Sequence, residues 1–580
     1  MRRHLAAILL ALLVGAIHAA PFAWQQLSPG YRGVPMIEAG DADFYLTFIG
    51  KSYEASAPVA DPFQYEYQDA GNPFQFFLIE FLLGKIGKAL DLPLGALHLG
   101  MQFFFPAALT LLLYFFALSL SGRIPIALLA AAAALLGNEF VRFSGILDTL
   151  RTFWFEGPYR EFLTYSRPVN PQASALLFFG ALWLLSSLYR KPALRIALGS
   201  GLAVGALVYI YLYFWAFAAT VLGVIFLFAL VARERELLRY SFFAGLAALA
   251  AMLPFLFLNL GVFLGETESA LTTAILTHKV ILEKMILVPL FLYSLLFLWG
   301  RFGANRRGAE WARYFFAKYR FVYLLLLAGV IVSNQQVITG RIIFVEHFHF
   351  FTNIPLFLLS MALLGGEILA LFPRLLRGAL TGLAVLMLAW FAFGVQMISY
   401  DAHKAEALRN QDLAPILEHL AQQEGAVVLT DKYLWTRITA YAPVYVYSAG
   451  GTDATFDVPR ERLEHDHFVT LALRGVAPED ARAYLYEPEN RKEVGMMLFV
   501  GTYWRDLCGS QGCFPDSVLE ELVPKYQEFA SRPLLENIHR YKADYLLWDR
   551  KRESSWRFAE IVVEPPIIES GDFRLYALKP

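Results

Sequence analysis

Charge is scarce in this chain of 580 residues: Asp, Glu, Lys and Arg make up 17% of it, while 57% is hydrophobic. Soluble domains carry about a quarter charged residues, so this deficit excludes a soluble fold for most of the length. The net charge of −1 gives no support to nucleic-acid binding. Two cysteines, Cys508 and Cys513, are too few to make a metal site by themselves. There is no P-loop, no GxGxxG, no GxSxG and no HExxH, nor a credible Ser/His/Asp set. ATP-driven chemistry and nucleotide-sugar chemistry of the Rossmann kind are therefore unsupported.

What the chain has instead is a succession of apolar runs. The first spans Leu5 to about Ala20 and continues through Pro21-Phe22-Ala23-Trp24. That continuation favours a retained transmembrane helix over a secretory signal, for which Ile17-His18-Ala19 is a poor cleavage site. Further runs lie at about 100–120, 124–137, 172–189, 193–210, 211–231, 241–263, 280–300, 320–333, 350–372 and 376–397. Most approach the roughly 20 residues that cross the hydrocarbon, giving about 11 spans. The 124–137 and 320–333 runs are short, and 193–231 requires a tight turn near Tyr209–Trp215.

Basic residues orient the spans. Arg123, Arg190/Lys191/Arg195, Arg233/Arg235/Arg239, Arg301–Arg320 and Arg374/Arg377 fall on alternate connections, whereas segment 21–99 holds nine acids and four bases. Lys and Arg resist translocation, so the N-terminus is expected inside and segment 21–99 outside. An odd number of spans then places everything after about Tyr400 outside. The expected division is a membrane domain, 1–399, and an extracytoplasmic domain, 400–580. The latter reads as mixed α/β, with strand-like runs at 426–430, 444–447, 545–548 and 561–563 and helices at 404–423, 478–487 and 516–530. In an oxidising compartment Cys508-Gly-Ser-Gln-Gly-Cys513 reads as a local disulfide, two free thiols being the alternative.

Candidate chemistry gathers on the outer face. Gly40-Asp41-Ala42-Asp43-Phe44-Tyr45 opens the first outer loop, and two carboxylates one residue apart suit either proton abstraction or a weak Mg²⁺ or Mn²⁺ site. The plainer alternative makes Asp41 an N-cap and Asp43 a first-turn acid. Segments 41–55 and 73–90 read as helices whose aromatic faces lie along the bilayer surface. A second set runs from Ser333 through Gln336 and Arg341 to Glu346-His347-Phe348-His349; its amides, cation and imidazoles suit a phosphate, or are an ordinary loop. A third, 138–171, offers Arg160 and Arg167 to an anionic headgroup, with a purely structural role as the alternative.

A short first span followed by a large acidic outer loop opening on Asp41-Ala42-Asp43-Phe44-Tyr45 resembles the GT-C superfamily of membrane glycosyltransferases. These include protein mannosyltransferases and aminoarabinose transferases. Asn72-Pro73-Phe74 entering an apolar helix, with Leu82-Leu83-Gly84 behind it, is similar to the second juxtamembrane helix of that family. The resemblance covers 1–400 in layout and the first 90 residues in motif. It implies transfer of a sugar from a polyprenyl-phosphate or pyrophosphate carrier to a glycan, lipid or protein acceptor at the outer face of a bilayer. Asp41 or Asp43 would be base or metal ligand, and Arg167, Arg341 and His347 or His349 would neutralise the leaving phosphate. The Trp-Trp-Asp signature of oligosaccharyltransferases is absent, as is an evident second acidic pair, for which Asp148, Glu156 and Glu161 are weak stand-ins. A bacterial inner membrane fits the short basic N-terminus. The competing functions are a transporter or flippase of a lipid-linked precursor and an inactive assembly protein.

Overall fold

The computed structural model describes residues 2–36, 42–69, 76–142, 146–260, 277–303, 305–340, 345–450, 456, 458–499 and 516–580. The expected Asp41, Arg341, Asn72-Pro73-Phe74 and Cys508/Cys513 features lie outside these residues.

Among them, eight helices are long and apolar enough to cross a membrane: Leu5–Gln26, Leu94–Ser121, Leu212–Ala232, Arg235–Leu258, Lys284–Phe302, Arg306–Thr339, Glu346–Leu369 and Arg374–Leu420. Three shorter apolar helices are Ile124–Leu136, Ser174–Arg190 and Leu194–Tyr209. This is an integral membrane protein, mostly helical, with a small C-terminal sheet. The expected turn near 209–215 occurs where a short 3₁₀ turn, Leu207–Tyr209, precedes the helix beginning at Leu212. The 320–333 run is only the apolar half of a longer helix, Arg306–Val332. Five of the six basic residues expected in a loop at 301–320 therefore sit on that helix, which departs from helical geometry at Tyr319.

Near this departure lies a charge the apolar pattern hid. Glu367 is 3% exposed; it binds Arg123 Nη1 through Oε2 at 2.7 Å and Lys318 Nζ through Oε1 at 2.7 Å. The Tyr319 hydroxyl donates to the same Oε1 at 2.8 Å. Three segments of the bundle are tied by one carboxylate, which is tolerable out of water only because both its oxygens are answered.

The C-terminal domain is built on a five-stranded sheet in the order β2-β1-β3-β5-β4, with β1 Val427–Leu429, β2 Tyr445–Val446, β3 Tyr545–Asp549, β4 Val562–Ser570 and β5 Phe573–Leu578. Strand β1 runs parallel to β2 and β3, while β5 is antiparallel to β3 and β4. Four strands fall where the sequence places strand-like runs; β5 does not. The helix Arg460–Leu473 was also unexpected, because its charge pattern reads as solvated, yet Arg462, Glu464, His465, Asp466 and His467 are all buried. Arg462 lies 3.8 Å over the Tyr541 ring and 3.1 Å from Asp466, and donates to the Tyr447 carbonyl at 2.6 Å.

A single helix, Arg374–Arg409, joins the two parts. At its end Arg409 makes a bidentate pair with the fully buried Asp549 at the end of β3, at 3.0 and 2.9 Å. The second junction is the helix Ala42–Lys51, packed against Trp435–Tyr441. A Cβ at Gly50 would stand 2.6 Å from the Ala440 carbonyl oxygen, so only glycine allows this approach. The expectation that the aromatic face of this helix lies on the bilayer is corrected here. Phe44 packs against, and Phe48 is buried with, Phe63, Phe77, Trp435 and Phe456 under the domain, because the domain offers a closed apolar cluster. The second helix, Leu78–Ala89, retains an exposed apolar row, Leu82, Ile86 and Leu90 at its end.

Replacing Glu367 by Ala leaves Lys318 and Arg123 without their shared counter-charge; a loss of about 3–5 kcal/mol is expected, as for other broken buried pairs. Thermal unfolding in detergent checks it: a melting temperature within a degree of wild type would show that the carboxylate does not tie the bundle.

Candidate functional site

Asp43 lies in the first turn of Ala42–Lys51 and is 3% exposed. The helix is pinned by the Thr47 hydroxyl, which is 3.0 Å from both the Asp43 and Thr436 carbonyl oxygens. Across the junction, Arg437 Nε donates to Asp43 Oδ2 at 3.4 Å. The other oxygen, Oδ1, is buried and has no hydrogen-bond partner among the described residues. Burial pushes the Asp43 carboxyl above the ordinary aspartate range; the Arg437 guanidinium, and more weakly His98 and Thr436, pull it back without cancelling the effect.

Asp43 lines a cavity of about 370 Å³ between the start of the Ala42–Lys51 helix, segment 138–171 and the C-terminal part of the chain. Arg160, His403, Lys432, Arg437 and Arg552 line it, with Glu161 and Glu406. His403 hydrogen-bonds the Arg160 carbonyl, fixing the rim. Of the residues expected to bind substrate, the structure brings Arg160 to Asp43.

On another side of the same helix, Tyr45 meets Arg167. The guanidinium donates to Tyr45 Oη at 3.2 Å and lies 5.3 and 5.2 Å from the ring centres of Tyr45 and Phe351. His347 stacks on Tyr213, 4.3 Å between centres, meets Phe351 edge-on at 5.6 Å and hydrogen-bonds the Tyr211 hydroxyl. Arg167 and His347 thus share one aromatic surround. His349 and Gln336 are engaged elsewhere: His349 Nδ1 is 2.8 Å from Glu283 Oε2, and Gln336 donates to the Lys279 carbonyl at 3.1 Å.

No family model matches the chain, and no curated protein matches it in sequence. Among solved structures it is similar to ArnT from Cupriavidus metallidurans bound to undecaprenyl phosphate, with 10% identity, 98% of this chain and 97% of that chain covered, and a TM-score of 0.47. It is also similar to the archaeal oligosaccharyltransferase AglB from Archaeoglobus fulgidus, in complex with an inhibitory peptide and a dolichol-phosphate. There the identity is 13%, the cover 95% of this chain and 70% of that one, and the TM-score 0.45.

The site for Mg²⁺ or Mn²⁺ expected at Asp41 and Asp43 falls only in part on the described residues. No group of three or more His, Cys, Asp or Glu side chains among them could hold a metal ion, and the Arg437 guanidinium already supplies positive charge beside Asp43. Sequence reasoning missed Lys432, Arg437, Arg552 and His403. A signal for the first three exists: they follow the ends of β1 and β3, and parallel strands gather functional groups at their carboxyl ends. It also missed Glu139, a buried acid of segment 138–171. Glu139 Oε1 accepts from the Thr164 amide and hydroxyl at 3.0 and 2.9 Å, and burial raises its pKa. Glu156 and Glu161 are exposed.

Because the Arg437 charge lowers the Asp43 pKa, Arg437→Gln should raise it further. The infrared carbonyl band of the protonated carboxyl, isolated by subtracting Asp43→Asn, should persist to higher pH in the variant. A band that titrates at the same pH with and without Arg437 would refute the coupling.

Proposed function

We propose that this protein is a membrane glycosyltransferase that moves a sugar from a polyprenyl-phosphate or pyrophosphate carrier to an acceptor on the outer face of the membrane. The single observation that carries the reading is Asp43: buried, raised in pKa, and lining a cavity that also holds charged side chains, with one carboxylate oxygen unused. An acceptor hydroxyl donating to Oδ1 gains nucleophilicity as its proton moves to the carboxylate. The acceptor oxygen then bonds the anomeric carbon as the carbon–oxygen bond to the carrier phosphate breaks. The departing phosphate takes up the electron pair and meets cationic groups, for which Arg167 is placed on the other side of the Asp43 helix, with His347 beside it and Arg341 expected there. Asp41 and Asp43 are also the residues that would hold Mg²⁺ or Mn²⁺. Asp41 is expected to work beside Asp43, and the acceptor is a glycan, lipid or protein.

The arrangement also supports a sidedness. Segment 42–69 and the C-terminal domain are in contact, while Arg123, Lys318 and Glu367 tie the bundle away from that contact. We take the chain to cross the membrane about 11 times, the three short helices included, with residues 1–399 as the membrane domain and 400–580 outside. The N-terminus is then cytoplasmic, the membrane a bacterial inner one, and Cys508 and Cys513 sit where a disulfide is stable.

In nanodiscs supplied with a polyprenyl-phosphate sugar, Asp43→Asn should lower transfer about 10²–10⁴-fold with unchanged helicity. In the wild type, rate should fall with acid at a pH above the usual aspartate range, since the raised pKa protonates the base sooner. Full transfer by Asp43→Asn would remove the assignment. Mass spectrometry of lipid retained by the purified protein identifies the donor independently.

A further inference from the structure

We infer that the C-terminal domain contributes an oxyanion-binding subsite of its own, formed by Lys432, Arg437 and Arg552 where the carboxyl ends of β1 and β3 face the membrane domain, and that it takes a phosphate group. The sheet order places β1 between β2 and β3, both parallel to it. The chain leaves β1 toward one neighbour and returns on the other side as β3. A crevice opens at the carboxyl ends of strands that diverge in this way, and open α/β sheets bind ligands there. Lys432 and Arg437 follow β1 and Arg552 follows β3; all three line the 370 Å³ cavity that Asp43 also lines. The subsite is therefore shared between the two parts of the protein, with Arg160 facing it from segment 138–171.

The balance of charge decides what enters. Glu161 and Glu406 also line the cavity, but each is held by an arginine from outside the lining: Glu161 by Arg142 at 3.2 Å, Glu406 by Arg409 at 2.9 Å. Arg160 forms no ion pair among the described residues. Lys432 is half exposed and its nearest carboxylate, Glu493, is 3.9 Å away, a separation at which an exposed pair holds weakly. Arg552 donates to Glu406 at 2.9 Å and lies 4.4 Å over the Tyr433 ring, so its guanidinium is oriented before any ligand arrives. Of the four cations, Arg437 is paired with Asp43 and Arg552 with Glu406, whose other partner, Arg409, also carries Asp549; Arg160 and Lys432 supply the positive charge left for a ligand. A phosphate monoester satisfies them with several charge-assisted hydrogen bonds, stronger than the weak pairs it would displace.

This assignment concerns binding and is tested apart from transfer. Full-length protein in nanodiscs is titrated with methyl phosphate by calorimetry, and separately reconstituted with undecaprenyl phosphate as the lipid probe. Lys432→Gln and Arg552→Gln should each weaken phosphate binding about tenfold, the loss of one charge-assisted contact. Lys432→Arg and Arg552→Lys should recover most of it, and added salt should weaken the wild type most. Response of methyl phosphate to the Gln variants places a water-soluble or acceptor-borne phosphate in the subsite. Response confined to undecaprenyl phosphate assigns it to the carrier headgroup. If neither probe's affinity changes in either Gln variant, the subsite is overturned, whatever the transfer rate of Asp43→Asn proves to be.

Discussion

The structure depends on one contact across its two parts, the Asp43–Arg437 pair. A carboxylate withdrawn from water is costly unless its charge is compensated, and here one oxygen is compensated by a guanidinium while the other is not. Each half of the pair comes from a different region: Asp43 from the loop after the first membrane helix, Arg437 from the short helix after the first strand of the C-terminal domain. The close approach at Gly50, the threonine contacts of Thr47 and the aromatic cluster of Phe48, Phe63 and Trp435 hold those helices together. They keep solvent from the pair.

Much of the architecture was legible because it follows from periodicity and charge alone. Long apolar runs are readable wherever about 20 residues must cross hydrocarbon. The two helices of the first outer loop and four of five strands were marked by local pattern, and Asp43 by being an acid at the edge of such a run. What escaped was settled by partners distant in sequence. The helix Arg460–Leu473 looks solvated until Tyr541 and Asp466 enclose Arg462. Glu367 vanished into an apolar average, its meaning supplied by Arg123 and Lys318 from other helices. The aromatic face of Ala42–Lys51 was legible as apolar, but not whether lipid or protein covers it, since the same face suits both.

The site divides in the same way. Arg160 and Arg167 could be found as cations in a polar connection. That one joins Asp43 at the cavity while the other shares an aromatic surround with His347 depends on the path of segment 138–171. Lys432, Arg437 and Arg552 are separated from Asp43 by hundreds of residues, and only the parallel pairing of β1 and β3 brings them together.

The continuous helix Arg374–Arg409 has a mechanical corollary. At about 1.5 Å per residue its 36 residues extend about 54 Å, whereas hydrocarbon is about 30 Å thick. The surplus continues past the hydrocarbon as a stiff mast, packed against segment 138–171 through Ser399 and His403, clamped at its tip through Arg409 to the sheet and carrying Glu406 on the cavity wall. Bilayer thickness, by setting how far this mast tilts or sinks, becomes a control on the gap between lipid headgroups and the cavity floor. Lipid composition would then tune the reach of any membrane-borne ligand with no change of sequence.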